Sequence, residues 1–118
     1  MLVDDDADAA LFVTHVLSTL GQFAVTHTAD PVTALRLVTQ GDYDLLLTET
    51  ELPGLSCLRL VASVRRLAPR LPVIVLTAHL PYGAEKRALR ELTDAYLEKP
   101  VPADRLIAEV SAAITRTG

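Results

Sequence analysis

Asp44-Leu45-Leu46-Leu47-Thr48-Glu49-Thr50-Glu51-Leu52-Pro53-Gly54 passes within a few residues from a run of leucines to carboxylates and then to a turn. A short apolar run closed by Pro-Gly reads as a buried strand of a parallel sheet whose last residues emerge where the chain turns. Glu49 is therefore delivered to the carboxyl edge of that sheet. Open α/β sheets bind their ligands at this edge, above all where the strand order reverses. The other polar residues that arrive there decide the chemistry.

Upstream, Met1-Leu2-Val3 stops at Asp4-Asp5-Asp6, as the tail of a first strand whose beginning is trimmed or very short. From Ala7 the period changes. Val13, Val16, Leu17 and Leu20 recur at helical spacing, Asp6 or Asp8 suits the cap, and Gly21 suits the stop. Phe23 to Thr28 alternates as a strand does. Asp30-Pro31 is an N-cap with proline at the first helical position, and Gly41 closes that helix after Ala34, Leu35 and Val38. The leucine strand from Asp44 to Thr48 follows.

Downstream, Ser56 caps a helix with the stripe Leu58, Val61, Val64 and Leu67, the arginines Arg65 and Arg66 on its solvated face, and Pro69 and Pro72 at its end. Val73-Ile74-Val75-Leu76 is the most β-branched run and delivers Thr77 to the same edge. After a loop, a less apolar helix runs from about Ala84 to Leu92, exposing Glu85, Lys86, Arg87 and Arg90; its weak stripe predicts a mobile element. Ala95-Tyr96-Leu97-Glu98 is a last strand ended by Lys99-Pro100, and Pro102 with Asp104 opens a helix carrying Leu106, Ile107, Val110 and Ile114. Strands and helices alternate throughout. This predicts a single domain over 1–118: α/β, a flavodoxin-like doubly wound (βα)5 sandwich around a parallel five-stranded sheet of order 2-1-3-4-5.

Composition narrows the function. At 118 residues, 50% of them apolar, the chain fits one core and carries no disordered tract. A net charge of −4 with scattered arginines argues against a nucleic-acid or anionic membrane surface. No apolar span or signal peptide is visible, so a cytoplasmic protein is expected. The single cysteine, Cys57, reads as a small helix residue, and His15, His27 and His79 make no metal motif.

The predicted strand order puts Asp4, Asp5 and Glu49 in one crevice flanked by Thr77 and Lys99, while the second strand, ending in His27-Thr28, contributes nothing comparable. Over its full length the chain resembles the receiver domains of two-component response regulators. The resemblance lies in Leu2-Val3-Asp4-Asp5-Asp6, Asp44-Leu45-Leu46-Leu47, Leu52-Pro53-Gly54, Val73-Ile74-Val75-Leu76-Thr77-Ala78 and Tyr96-Leu97-Glu98-Lys99-Pro100. It implies that Asp4 and Asp5 help hold Mg²⁺, with the backbone carbonyl of Glu51 as a further ligand. It also implies that Thr77 and Lys99 contact a phosphoryl group, that Tyr96 changes rotamer on activation, and that the Lys99-Pro100 bond is cis. A sensor histidine kinase or phosphotransfer protein would act upstream. A downstream protein would bind the 84–116 face, and a homodimer could form.

The chain departs from the family at the phosphoacceptor, where Glu49 stands in place of aspartate. The extra methylene carries the carboxylate outward by about 1.5 Å, toward the space of a phosphoryl oxygen and within reach of Thr77 or Lys99. Glu49 is therefore expected to imitate the phosphorylated state in part, with phosphotransfer lost or altered and no enzymatic activity. Cys57 and Leu92 also stand where receivers usually have glycine. Three crowded carboxylates need a cation, and both Mg²⁺ and the ammonium of Lys99 qualify.

Two enzyme-like alternatives share the fold. Val3-Asp4-Asp5-Asp6 also resembles the Asp-x-Asp of haloacid-dehalogenase-like phosphohydrolases, which would use Asp4 and Asp6, but Asp8 stands where that family has Thr or Val. A flavin or nucleotide binder would need a Gly-rich phosphate loop, and the glycines are dispersed.

Overall fold

The structure, a computed structural model, describes residues 1–78 and 82–117. His79, one of the three histidines that make no metal motif, lies outside the described residues. Five parallel strands form one sheet in the order β2-β1-β3-β4-β5. They are β1 (Leu2–Val3), β2 (His27–Thr28), β3 (Leu46–Thr48), β4 (Val73–Thr77) and β5 (Ala95–Glu98). The helices α1 (Ala7–His15), α2 (Pro31–Gln40), α3 (Cys57–Leu67), α4 (Gly83–Leu92) and α5 (Ala103–Thr117) follow the strands in turn. The expected doubly wound topology is therefore present. No helix among the described residues is long and apolar enough to cross a membrane.

Alternation along the strands builds two cores. Leu2, Leu47, Ile74, Leu76 and Leu97 face α1 and α5, where they meet Val13, Leu106 and Val110. Their neighbours Val3, Leu46, Val73 and Val75 face the other way, onto Ala34, Val38, Leu60, Val61, Val64 and Leu89. Both faces of the sheet are thus buried, as an all-parallel sheet requires. The register pairs Val3 with Thr48, Thr48 with Val75, and Thr77 with Glu98. The residues just beyond, Asp4, Glu49 and Lys99, consequently leave the sheet on the same rim.

Several local expectations hold for the physical reason given. Asp6 caps α1, its carboxylate accepting from the amides of Asp8 and Ala9, and Asp30 and Ser56 cap α2 and α3 in the same way. Gly54 takes φ +79°, the turn the Pro-Gly pair announces, and the Lys99-Pro100 bond is cis.

Others change. After α1 the chain widens into a π-helical turn, Val16–Leu20, closed by the Gly21 amide on the Val16 carbonyl at 3.1 Å. The wider turn rotates Leu20 out of the core to 62% exposure. Gly21 serves for close approach: a Cβ there would lie 2.8 Å from the Phe23 ring, while the left-handed residue is Gln22 at φ 59°. Only His27–Thr28 of the second predicted strand pairs in the sheet, although Phe23 and Val25 still pack on the core. The third strand begins at Leu46 rather than Asp44. On α3 the buried stripe is Cys57, Leu60, Val61 and Val64, with Leu67 exposed.

Arg65 is not on a solvated face. Its guanidinium donates to the carbonyls of Leu92 (2.6 Å), Leu71 (2.7 Å) and Pro69 (3.4 Å) and pairs with Asp94 at 2.7 Å. Asp94 in turn accepts from the Val73 amide at 2.8 Å. Arg65 therefore ties α3, the start of β4 and the α4–β5 turn together at the amino edge of the sheet. Arg66 is exposed, as expected, and Lys86 is half-buried rather than exposed.

Candidate functional site

At the carboxyl rim, β1, β3 and β5 deliver Asp4, Glu49 and Lys99 to one point. The Lys99 ammonium donates to Asp4 Oδ2 at 2.8 Å and to Glu49 Oε2 at 2.9 Å. Asp4 and Glu49 are buried, so they leave bulk water only because a cation lies between them. The remaining oxygens are engaged as well. Asp4 Oδ1 accepts from the Asp6 amide at 2.9 Å, and Glu49 Oε1 accepts from the Thr50 amide at 2.6 Å and the Thr50 hydroxyl at 3.0 Å.

Thr77, fully buried at the end of β4, hydrogen-bonds the Glu49 carboxylate and lies 2.6 Å from Thr50 Oγ1. Burial pushes the Glu49 carboxyl up, but the hydrogen bonds of Thr77, Lys99 and the Thr50 amide, with the charge of Lys99, hold it below its ordinary value. For Lys99, burial opposes the charged form, while the bonds to Asp4 and Glu49 raise the ammonium above its ordinary value. Both groups are therefore charged at neutral pH.

Asp4, Glu49, Thr77 and Lys99 are thus joined by hydrogen bonds, while Asp5 beside them is exposed to solvent. Thr50 was not among the expected residues, although its signal, a hydroxyl directly after Glu49, stands in the sequence. The second strand does contribute after all: His27 Nε2 lies 2.8 Å from the Asp4 carbonyl and steadies the turn that carries the acid. Asp6, the second acid of the phosphohydrolase alternative, caps α1 through Oδ1.

The oxygen-rich donor set of Asp4, Asp5, Glu49 and the Glu51 carbonyl has the chemistry Mg²⁺ prefers. Both carboxylate oxygens of Asp4 and of Glu49 are engaged by protein donors, and among the described residues no three acidic, histidine or cysteine side chains surround a common point for a metal ion.

Below the rim, burial pushes the Cys57 thiol up to about 12, which makes it a packing residue rather than a nucleophile. Tyr96, on β5, turns its hydroxyl inward, where it is shielded from solvent and has no hydrogen-bond partner among the described residues. Burial first, then the Cys57 and Glu85 charges, push this phenol up to about 12. The Arg90 guanidinium lies over the ring at 5.8 Å. An orphaned buried hydroxyl is a cost, so Tyr96→Phe should raise stability by about 1 kcal/mol. Urea denaturation checks this, and a loss of stability would mean that the hydroxyl has a partner.

Residues 1–111 match the family model described as the response regulator receiver domain. An uncharacterized transcriptional regulatory protein of Bacillus subtilis, YcbL, is 34% identical over 98% of this chain and 50% of its own length. The chain spans about half the length of that relative and 24% of the Klebsiella pneumoniae regulator NtrC, to which it is 31% identical over 97% of its own length. Among solved structures, the receiver domain of the Pseudomonas aeruginosa sensor histidine kinase PA1611 superposes with a TM-score of 0.86. It shares 28% identity, covers 97% of this chain and 94% of its own, and carries magnesium in its active-site cleft.

Proposed function

Because the chain belongs to the response regulator receiver domains, the regulatory modules of two-component signalling, we propose that in this member Glu49 itself holds the switch residues, with phosphotransfer lost or altered. The observation that carries this reading is the double engagement of one carboxylate. Oε2 is bonded to Lys99, and the Oε1 side is bonded to Thr50 and drawn toward Thr77.

In receivers a phosphoryl group makes contacts of this kind when it is present; here the side chain makes them unaided. The imitation is partial, since a carboxylate carries one charge and a phosphoryl group nearly two, with three acceptor oxygens. It biases a two-state domain toward the arrangement in which Tyr96 points inward. Output then passes through protein contacts of the 84–116 face, to a downstream protein or to a second copy in a homodimer, with a sensor histidine kinase or phosphotransfer protein as the upstream partner of the ancestral reaction.

Mg²⁺, where it binds, supplies positive charge for phosphoryl oxygens; Asp4, Asp5, Glu49 and the Glu51 carbonyl would hold it. Because Lys99 already occupies Asp4 and Glu49, metal and ammonium compete for the same oxygens.

The test is exposure to acetyl phosphate with Mg²⁺, followed by intact-mass spectrometry, of the natural chain and of Glu49→Asp. The natural chain is expected to stay unmodified and the aspartate variant to gain an acyl phosphate. A stable adduct on Glu49 would sink the reading.

A further inference from the structure

Thr50 stands beside the acceptor position, and its hydroxyl touches two members of the site: Glu49 Oε1 at 3.0 Å and Thr77 Oγ1 at 2.6 Å. Its amide also donates to Glu49 Oε1, at 2.6 Å. We infer that Thr50 is a positioning residue that completes what Glu49 begins: its hydroxyl, with the two carboxylate oxygens, presents three oxygens to the rim and fixes the rotamer of Thr77. The inference rests on the reading that Glu49 holds the switch, and it names the residue that gives Thr77 a second contact beside the carboxylate.

Proton counting leads to this residue. A carboxylate only accepts, while each threonine hydroxyl has one proton to give and lone pairs to receive. With Oε2 turned to Lys99, the threonine side of the pocket is left with Oε1 alone, and that oxygen already takes the Thr50 amide. Thr50 gives its one proton to Oε1, so at the 2.6 Å contact Thr77 is the donor, its proton shared between the Thr50 oxygen and the carboxylate. The Thr50 oxygen is thereby a fixed acceptor for Thr77. A glutamate with an apolar neighbour would lose the Thr50 contact, and its bond to Thr77 would rest on an oxygen whose other lone pair is taken. Because Thr77 is fully buried at the end of β4, the contact has no competition from water.

The experiment is side-chain NMR on Thr77, with selectively labelled threonine methyls and three-bond couplings to read its rotamer, in the natural chain, Thr50→Val, Thr50→Ser and Glu49→Gln. Circular dichroism verifies the fold of each. The natural chain and Thr50→Ser are expected to show one Thr77 rotamer, and Thr50→Val rotamer averaging with a displaced methyl signal. An unchanged Thr77 in Thr50→Val overturns the inference, and so does equal loosening in Thr50→Val and Thr50→Ser, because the hydroxyl would then not be the agent. Glu49→Gln separates the two readings. If it frees Thr77 while Thr50→Val does not, the carboxylate acts alone and the inference fails with the function intact. If Thr50→Val frees Thr77 while Glu49→Gln does not, the Thr50 contact stands and the role assigned to Glu49 falls.

Discussion

Lys99→Ala should destabilise the domain by about 3–5 kcal/mol at pH 7, the loss typical of removing one partner from a buried ion pair. The side chains of Asp4 and Glu49 are only 3% and 7% exposed, so water cannot take over the role of the ammonium. The loss should be largest at neutral pH and shrink in acid. Without the cation, the two carboxylates raise each other's pKa above the unfolded values, so the variant gains stability as pH falls and they protonate.

The natural chain behaves oppositely. Glu49 has a lowered pKa, so its contribution is complete above the ordinary value of 4.5 and disappears as pH falls through the lowered one. Lys99 has a raised pKa, so its contribution is complete below 10.5 and disappears as pH rises through the raised value. Urea denaturation of both proteins at pH 7 and pH 5 checks this. A difference that is small, or that does not narrow at pH 5, would show that the three groups are not coupled.

The second large effect lies in the core. Leu60→Ala should cost about 2–5 kcal/mol, the range for deleting a buried leucine and leaving a cavity, because Leu60 is fully buried between α3 and the sheet. Leu67→Ala, on the same helix, should stay within about 0.5 kcal/mol of the natural chain, as exposed positions do. The pair of denaturation curves therefore reads out which face of α3 is buried. Equal losses would contradict the observed stripe.

That stripe also marks where the sequence stops being informative. Leucines at 58, 60 and 67 offer α3 more than one apolar face, and periodicity alone favoured the face ending at Leu67. The choice is made by contact with Leu46, Val73 and Val75 on the sheet, which no local window contains. Strands β1, β3, β4 and β5 were legible because each changes abruptly from apolar to polar, and those changes also bring Asp4, Glu49, Thr77 and Lys99 to one rim. Contacts made by the flanks of elements were not legible. The bond of His27 to a backbone carbonyl, the exposure of Asp5 and the hydrogen bonds of Arg65 depend on loop paths and side-chain reach rather than on residue type. The π-helical turn at Val16–Leu20 is similar, since one displaced hydrogen bond leaves no compositional mark.

The two ends of α4 are held unequally. Its last residue, Leu92, gives its carbonyl to Arg65, whereas its first turn starts on Gly83 at φ +58° with no side-chain cap, and Leu89, near the far end, is its one fully buried anchor. So held, α4 is expected to open first in its first turn, nearest the carboxyl rim, and faster amide exchange there than around Leu89 would show it.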